Sequence, residues 1–87
     1  MKYFFHVLDG QAYTDREGAE LPSLQQARVE AVRILADFLG QKPEAFWRDD
    51  GFALTVQDAR RVTLFTLQLT VVPAGRTEDD QGIPVVG

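Results

Sequence analysis

His6 is the one histidine of the chain, and it lies between Phe5 and Val7 in the run KYFFHVL. An imidazole can act as a general base or as a metal ligand near neutral pH. Here the sequence supplies no second imidazole and no cysteine to complete a metal site. Ser23 is better placed to cap a helix than to serve as a nucleophile that His6 would activate. The pattern therefore favours a structural or interface role for His6.

Four carboxylates surround the first predicted turn: Asp9, Asp15, Glu17 and Glu20. Oxygen-rich loops of this kind can bind calcium or magnesium. Their spacing differs from that of an EF-hand loop, in which acidic or amide residues alternate before a glycine. Turn formation explains the cluster better, and nothing in the sequence places two carboxylates across a cleft for acid–base chemistry. We expect no catalytic residue, metal or cofactor.

The composition narrows the classes of function that are open to the chain. Its 87 residues indicate one domain, and 9 basic against 13 acidic residues give a net charge of −4. Phosphate contacts need clustered Lys and Arg, so nucleic acid is not an expected partner. With no cysteine present, disulfide scaffolds, thiolate zinc sites and cysteine nucleophiles are excluded.

The apolar runs are all short. The run at the N-terminus stops at Asp9 and is too short for a signal peptide. No run approaches the roughly 20 residues that a membrane span requires. We therefore predict a cytoplasmic protein that does not bind membranes.

Residues 23–39 predict the one long helix around which the rest of the chain is organised. Ser23 is a suitable N-cap, and Gln26 completes a capping-box pattern. Gly40 is expected to end the helix, with Pro43 preventing its continuation. Steps of three and four place the apolar residues on one stripe of this helix: Leu24, Ala27, Ala31, Ile34, Leu35 and Phe38.

Four strands are predicted around this helix, over residues 2–8, 11–14, 51–57 and 62–72. The helix crosses between the second and third strands, so the first strand can pair with both. We predict an α+β fold of ββαββ topology, with a four-stranded antiparallel sheet in the order 2-1-3-4 and the helix on one face. Residues 1–73 are expected to form this domain, and residues 74–87 a flexible tail.

The segment between the helix and the third strand, residues 41–50, is predicted as a loop with one helical turn from Glu44 to Trp47. Phe46 and Trp47 are expected to cover one end of the core. For Trp47, packing is favoured over a functional role, because aromatic side chains dominate small cores.

The sequence resembles a family of small uncharacterised bacterial proteins, a domain-of-unknown-function class found in proteobacteria. The opening YFFH followed by Asp9-Gly10 carries this resemblance, together with Asp15, Gly18, Leu21-Pro22, Ala27-Arg28 and Ala31. The second half contributes Phe46-Trp47, Val56, Asp58 and Leu64, so the resemblance spans residues 2–72. The family implies no activity and no catalytic residue. A looser likeness to small antitoxin domains is an analogy of fold only.

Both faces of the first predicted strand are apolar or aromatic, yet one helix can cover only one face of the sheet. Exposed apolar surface usually marks an interface, and the long fourth strand would also present unpaired backbone groups if it lies at an edge. We expect a homodimer with His6 near or inside the contact. The candidate interface residues are Phe4, His6, Leu8, Leu64 and Trp47.

These observations favour a small interaction or regulatory domain that binds a protein partner or a second copy of itself. An antitoxin-like regulator associated with nucleic acid is the alternative, and it lacks an evident basic patch. A metal-dependent enzyme is the third and weakest reading.

Overall fold

A computed structural model describes residues 1–49 and 51–74 of the chain. Within this part, two helices and five strands follow one another in an α+β arrangement. Their bounds are β1 Lys2–Leu8, β2 Ala12–Tyr13, β3 Ala19–Glu20, α1 Leu24–Gln41, α2 Pro43–Asp49, β4 Gly51–Gln57 and β5 Thr63–Thr70.

The strands form an antiparallel sheet in the order β2-β1-β4-β5, and β3 pairs with the beginning of β1. The order of the predicted strands is therefore confirmed. The count of four is corrected to five, because Ala19 and Glu20 pair with Tyr3 and Lys2. A two-residue strand has no periodicity that a sequence pattern could reveal. β5 is also shorter than the predicted strand over residues 62–72.

Helix α1 begins as predicted, since the Ser23 side chain accepts a hydrogen bond from the Gln26 amide at 3.2 Å. The prediction that Gly40 ends it is wrong. The helix continues through Gln41 and its C-cap is Lys42, whose φ is −139°. Gly40 lies inside the helix next to open space, so no steric or conformational demand explains a glycine there. Pro43 then starts a new helix.

Helix α2 occupies most of the segment that was predicted as a loop with one helical turn. Pro43 stands at its first position, where the missing amide costs nothing and the fixed φ suits a helix. Glu44 lies in the first turn and Arg48 in the last, which matches the helix dipole at both ends. These local signals support a seven-residue helix.

The core lies between α1 and one face of the sheet. Two alanines of α1 are fully buried there and allow the helix to approach the strands closely. Ile34, Leu35 and Phe38 pack partly against this core, whereas Leu24 is exposed, so the predicted stripe is correct except at its first residue. The buried residues of this cluster are Tyr3, Phe5, Val7, Ala27, Ala31, Phe52, Leu54 and Val56.

The part of the chain that was predicted as a tail lies outside the described residues, apart from Ala74. Among the residues that are described, neither helix is long and apolar enough to cross a membrane.

Candidate functional site

His6 joins three segments of the chain on the sheet face opposite α1, which we call the open face. Its Nδ1 accepts a hydrogen bond from the backbone amide of Asp15 at 3.0 Å. Its Nε2 lies 2.9 Å from Oε1 of Gln57 on β4. A backbone amide can only donate, so Nδ1 is unprotonated in this arrangement and Nε2–H donates to Gln57. Both nitrogens are engaged, which leaves His6 in a structural role here.

The Asp15 carboxylate closes the edge of β1 in the gap between β2 and β3. Its Oδ2 accepts from the Phe5 amide at 3.0 Å, and its Oδ1 accepts from the amides of Glu17 at 3.1 Å and Gly18 at 3.0 Å. Burial raises the pKa of Asp15, but these three hydrogen bonds, led by that of Gly18, hold the pKa below its ordinary value of 3.8. The Asp15 carboxylate therefore accepts the β1 hydrogen bond that a neighbouring strand would otherwise accept.

The predicted interface residues do not form one surface. Phe4 is only 6% exposed, and the guanidinium of Arg61 lies 3.9 Å from the centre of its ring. Leu8 and Leu64 are 57% and 39% exposed, but Leu8 pairs with Ala53 near the start of β4, whereas Leu64 follows Thr63, which pairs with Gln57 at the other end of that strand. Trp47 is 65% exposed and belongs to α2. His6 is half-buried. The exposed residues of this set are therefore separate from one another on the surface.

Trp47 does not cover the end of the core as expected. Phe46 packs partly against the core cluster, and Trp47 contacts the Phe46 ring edge-on with 5.6 Å between ring centres. On a helix of seven residues, two adjacent side chains point in different directions, so only one of them can face the sheet.

The open face is mostly polar in its central part. Thr55 and Thr66 share a hydrogen bond of 3.1 Å between their hydroxyls, and Gln57 donates to Thr63 over 3.4 Å. The expectation of a two-sided apolar strand holds for Phe4, but that ring is covered. The side chains of Thr55, Gln57, Thr63 and Thr66 thus already have hydrogen-bond partners within this face.

β5 is an edge strand whose described strand neighbour is β4 alone. It is eight residues long and contains no charged residue, proline or glycine. Phe65, Leu67 and Leu69 point to the helix side, where the first two are half-buried and Leu69 is 38% exposed. Exposed edges in natural proteins usually carry lysine, proline or another protective feature. Here a register shift between Val56 and Gln57 disturbs only the beginning of β5.

A groove of about 390 Å³ lies between α1 and the β2 side of the sheet. Asp15 and Glu30 are the acidic residues on its wall. The Asp15 oxygens are taken by backbone amides, and Glu30 lies 3.5 Å from Arg33. Both carboxylates of the groove thus already have partners within the domain. The apolar lining comes mainly from Phe5, Val7, Tyr13, Ile34 and Phe38.

The charged residues show no other arrangement that suggests chemistry in the part of the chain described. No three carboxylate or histidine side chains there come together in a way that could hold a metal ion. Two of the arginines have internal contacts, Arg61 with Phe4 and Arg33 with Glu30.

Over residues 1–49 and 51–74, fold and surface define a small α+β domain in which the β1 edge is closed and the β5 edge has no further strand beside it. Residues 2–70 match the family described as domain of unknown function DUF6894, and the chain belongs to that family. The match runs from the first residue of β1 to the last residue of β5. The predicted membership of an uncharacterised domain family is thereby confirmed, and a bacterial origin stays a prediction. No curated protein and no solved structure matches the chain.

Proposed function

We propose that this domain binds a protein, and that the partner contributes a strand that pairs with β5. The observation that carries the proposal is the eight-residue, uncharged edge of β5 with its row of apolar side chains. Added strands gain affinity from main-chain hydrogen bonds and specificity from alternate side chains. The proposal includes the cytoplasmic location predicted from the sequence.

The chemistry of the edge indicates a polypeptide partner. Eight residues of extended strand present backbone donors and acceptors over roughly 27 Å, which only another extended chain can match in spacing. A strand placed there would also extend the apolar layer that Phe65 and Leu67 already share with the core. It would cover Leu69, whose side chain is otherwise in contact with water.

Thr66→Lys tests the proposal, because Thr66 lies mid-strand on the open face and a lysine on an edge opposes strand addition. Gln25→Lys is the matched control, with the same change in charge at an exposed position of α1. The full chain and both variants would be compared for complex formation, by sedimentation of the pure protein and by titration with any partner purified from the native cell.

We expect Thr66→Lys to weaken association at least tenfold and Gln25→Lys to leave it unchanged, with both variants melting within a few degrees of the wild type. Equal binding by all three proteins would contradict the proposal. So would a complex that only Gln25→Lys disrupts, since it would place the binding surface on α1.

A further inference from the structure

We infer that the strand that adds to β5 is β5 of a second copy, running antiparallel with Leu67 on the twofold axis. The inference rests on the proposed function and names its partner. Because the same edge is used by both copies, such pairing is closed and produces a dimer rather than a fibre. The described part of each chain then has no long open edge left.

The apolar row of β5 is symmetric about Leu67. With the axis there, Leu67 faces Leu67 of the partner subunit, and Phe65 faces Leu69 of the partner subunit. On the open face, Thr66 faces Gln68 of the partner subunit. Between Phe65 and Leu69 every helix-side pair is then apolar and the open-face pair is polar, so the two sheets join with matching faces.

Neighbouring registers match less well. An axis at Thr66 would place Leu69 opposite Thr63 of the partner subunit, and an axis at Gln68 would move the partner of Phe65 beyond the end of β5. An axis between two residues would bring apolar side chains opposite polar ones. Leu67 is the position that keeps the apolar row opposite itself.

The bulge limits the stretch that can pair regularly. Regular pairing with β4 runs from Phe65 to Thr70, and the register shift falls where Gln57 pairs with Thr63, which leaves Leu64 as the extra residue. Pairing about Leu67 places residues 65–69, all within the regular stretch, opposite one another.

Charge also favours a second copy at this edge. The chain carries a net charge of −4, so two copies repel over most of their surfaces. Between Thr63 and Thr70 there is no charged side chain, and the pairing brings no like charges face to face.

Leu67→Cys tests both the partner and the register, because the chain has no other cysteine. Residues directly opposite in an antiparallel pair have Cα atoms about 4.5–5.5 Å apart, within the roughly 4.4–6.8 Å that a disulfide spans. Leu69→Cys is the control, since its own symmetry mate would be about 13 Å away along the strand. Both proteins would be oxidised at micromolar concentration and analysed without reductant.

We expect most of Leu67→Cys to become a covalent dimer and little of Leu69→Cys. A mixture of Phe65→Cys with Leu69→Cys should yield mixed dimers. Equal cross-linking of Leu67→Cys and Leu69→Cys would overturn this register. Circular dichroism of each reduced variant would establish that it is folded.

Sedimentation equilibrium of the full chain separates this inference from the proposed function. The inference predicts twice the 9.8 kDa mass of the chain. A monomer at several hundred micromolar, with no Leu67→Cys cross-link, would overturn it. If another protein then still bound in a manner that Thr66→Lys abolished, the proposed function would stand, and loss of both results would remove both.

Discussion

The two edges of the sheet differ in how their backbone groups are satisfied. On the β1 edge, two strands of two residues each cover the ends, and the Asp15 carboxylate accepts the Phe5 amide between them. On the β5 edge, eight uncharged residues run without such cover in the described structure. The first edge cannot accept another strand unless the loop that holds Asp15 moves. The second has no such barrier among the described residues, and it is the edge that the proposed function uses.

We expect the largest effect on folding from Asp15→Ala, which removes the carboxylate that closes the β1 edge. The carboxylate accepts three backbone hydrogen bonds, and bonds to a charged group are worth about 1.5–3 kcal/mol each without being additive. We predict a loss of about 3 kcal/mol in the free energy of unfolding, measured by urea titration. An unchanged midpoint would show that the β1 edge does not need this residue.

The contribution of Asp15 should also depend on pH. Its pKa in the folded chain lies below the ordinary value of 3.8, so its stabilisation is complete above that value and is lost as the pH falls through the folded pKa. The difference in melting temperature between the wild type and Asp15→Ala should therefore shrink when the pH is lowered from 7 to 2. A difference that stays constant over this range would contradict the role of the charge.

Gly18→Ala should weaken the same edge somewhat less. Gly18 has a φ of 74°, and an added Cβ would lie 2.9 Å from Cγ of Lys2 and 3.0 Å from Cε1 of Phe4. We predict a loss of about 2 kcal/mol, since the left-handed conformation alone costs about 1–2 kcal/mol in other residues. Gly40→Ala is the control and should stabilise the protein by about 0.5–1 kcal/mol, because Gly40 is helical and faces open space. Equal effects of the two changes would refute this explanation.

His6→Leu tests the link between the open face and the closed edge. The change leaves the Asp15 amide and the Gln57 side chain without their partner, at a cost of roughly 1–2 kcal/mol. Leu8→Ala, on the same face but exposed, should cost less. Nitrogen chemical shifts of the uncharged His6 ring in the wild type should show the Nε2–H tautomer. The opposite tautomer would rule out the hydrogen bonds assigned to His6.

Charges on the β5 edge should affect folding least and association most. A chain with Thr66→Lys and Gln68→Lys should be folded but monomeric, because lysines would face lysines across the twofold axis. The chain with Thr66→Glu and Gln68→Glu should behave likewise, and mixing the two should restore a dimer through opposite charges. Dimers in either chain alone would show that the contact lies elsewhere.

Local patterns predicted much of the fold. The Ser23 cap, the apolar stripe of α1 and the alternation in β4 follow from neighbouring residues, and the crossover of the helix suggested the strand order. The edges were harder to predict. The contact of Asp15 with Phe5 spans ten residues and needs a tight loop, and β3 is too short to carry a pattern.

The candidate site was predictable only in part. The sequence suggested that the last strand would present an open edge, but it also directed attention to the apolar residues of the open face. Whether these apolar side chains are accessible depends on how deeply they are buried. Their burial depends in turn on tertiary contacts such as that of Arg61 with Phe4, which lie far apart in the chain. The hydrogen bond between the hydroxyls of Thr55 and Thr66 likewise forms only once β4 and β5 are in register.

Amide hydrogen exchange measured over a range of protein concentrations tests the difference between the two edges most directly. The Phe5 amide should be protected at every concentration, because Asp15 accepts it within the same chain. The amides of β5 that point away from β4 should exchange rapidly in dilute solution and become protected as the concentration rises through the micromolar range. Rapid exchange of these β5 amides at every concentration, without any added partner, would contradict self-pairing along β5.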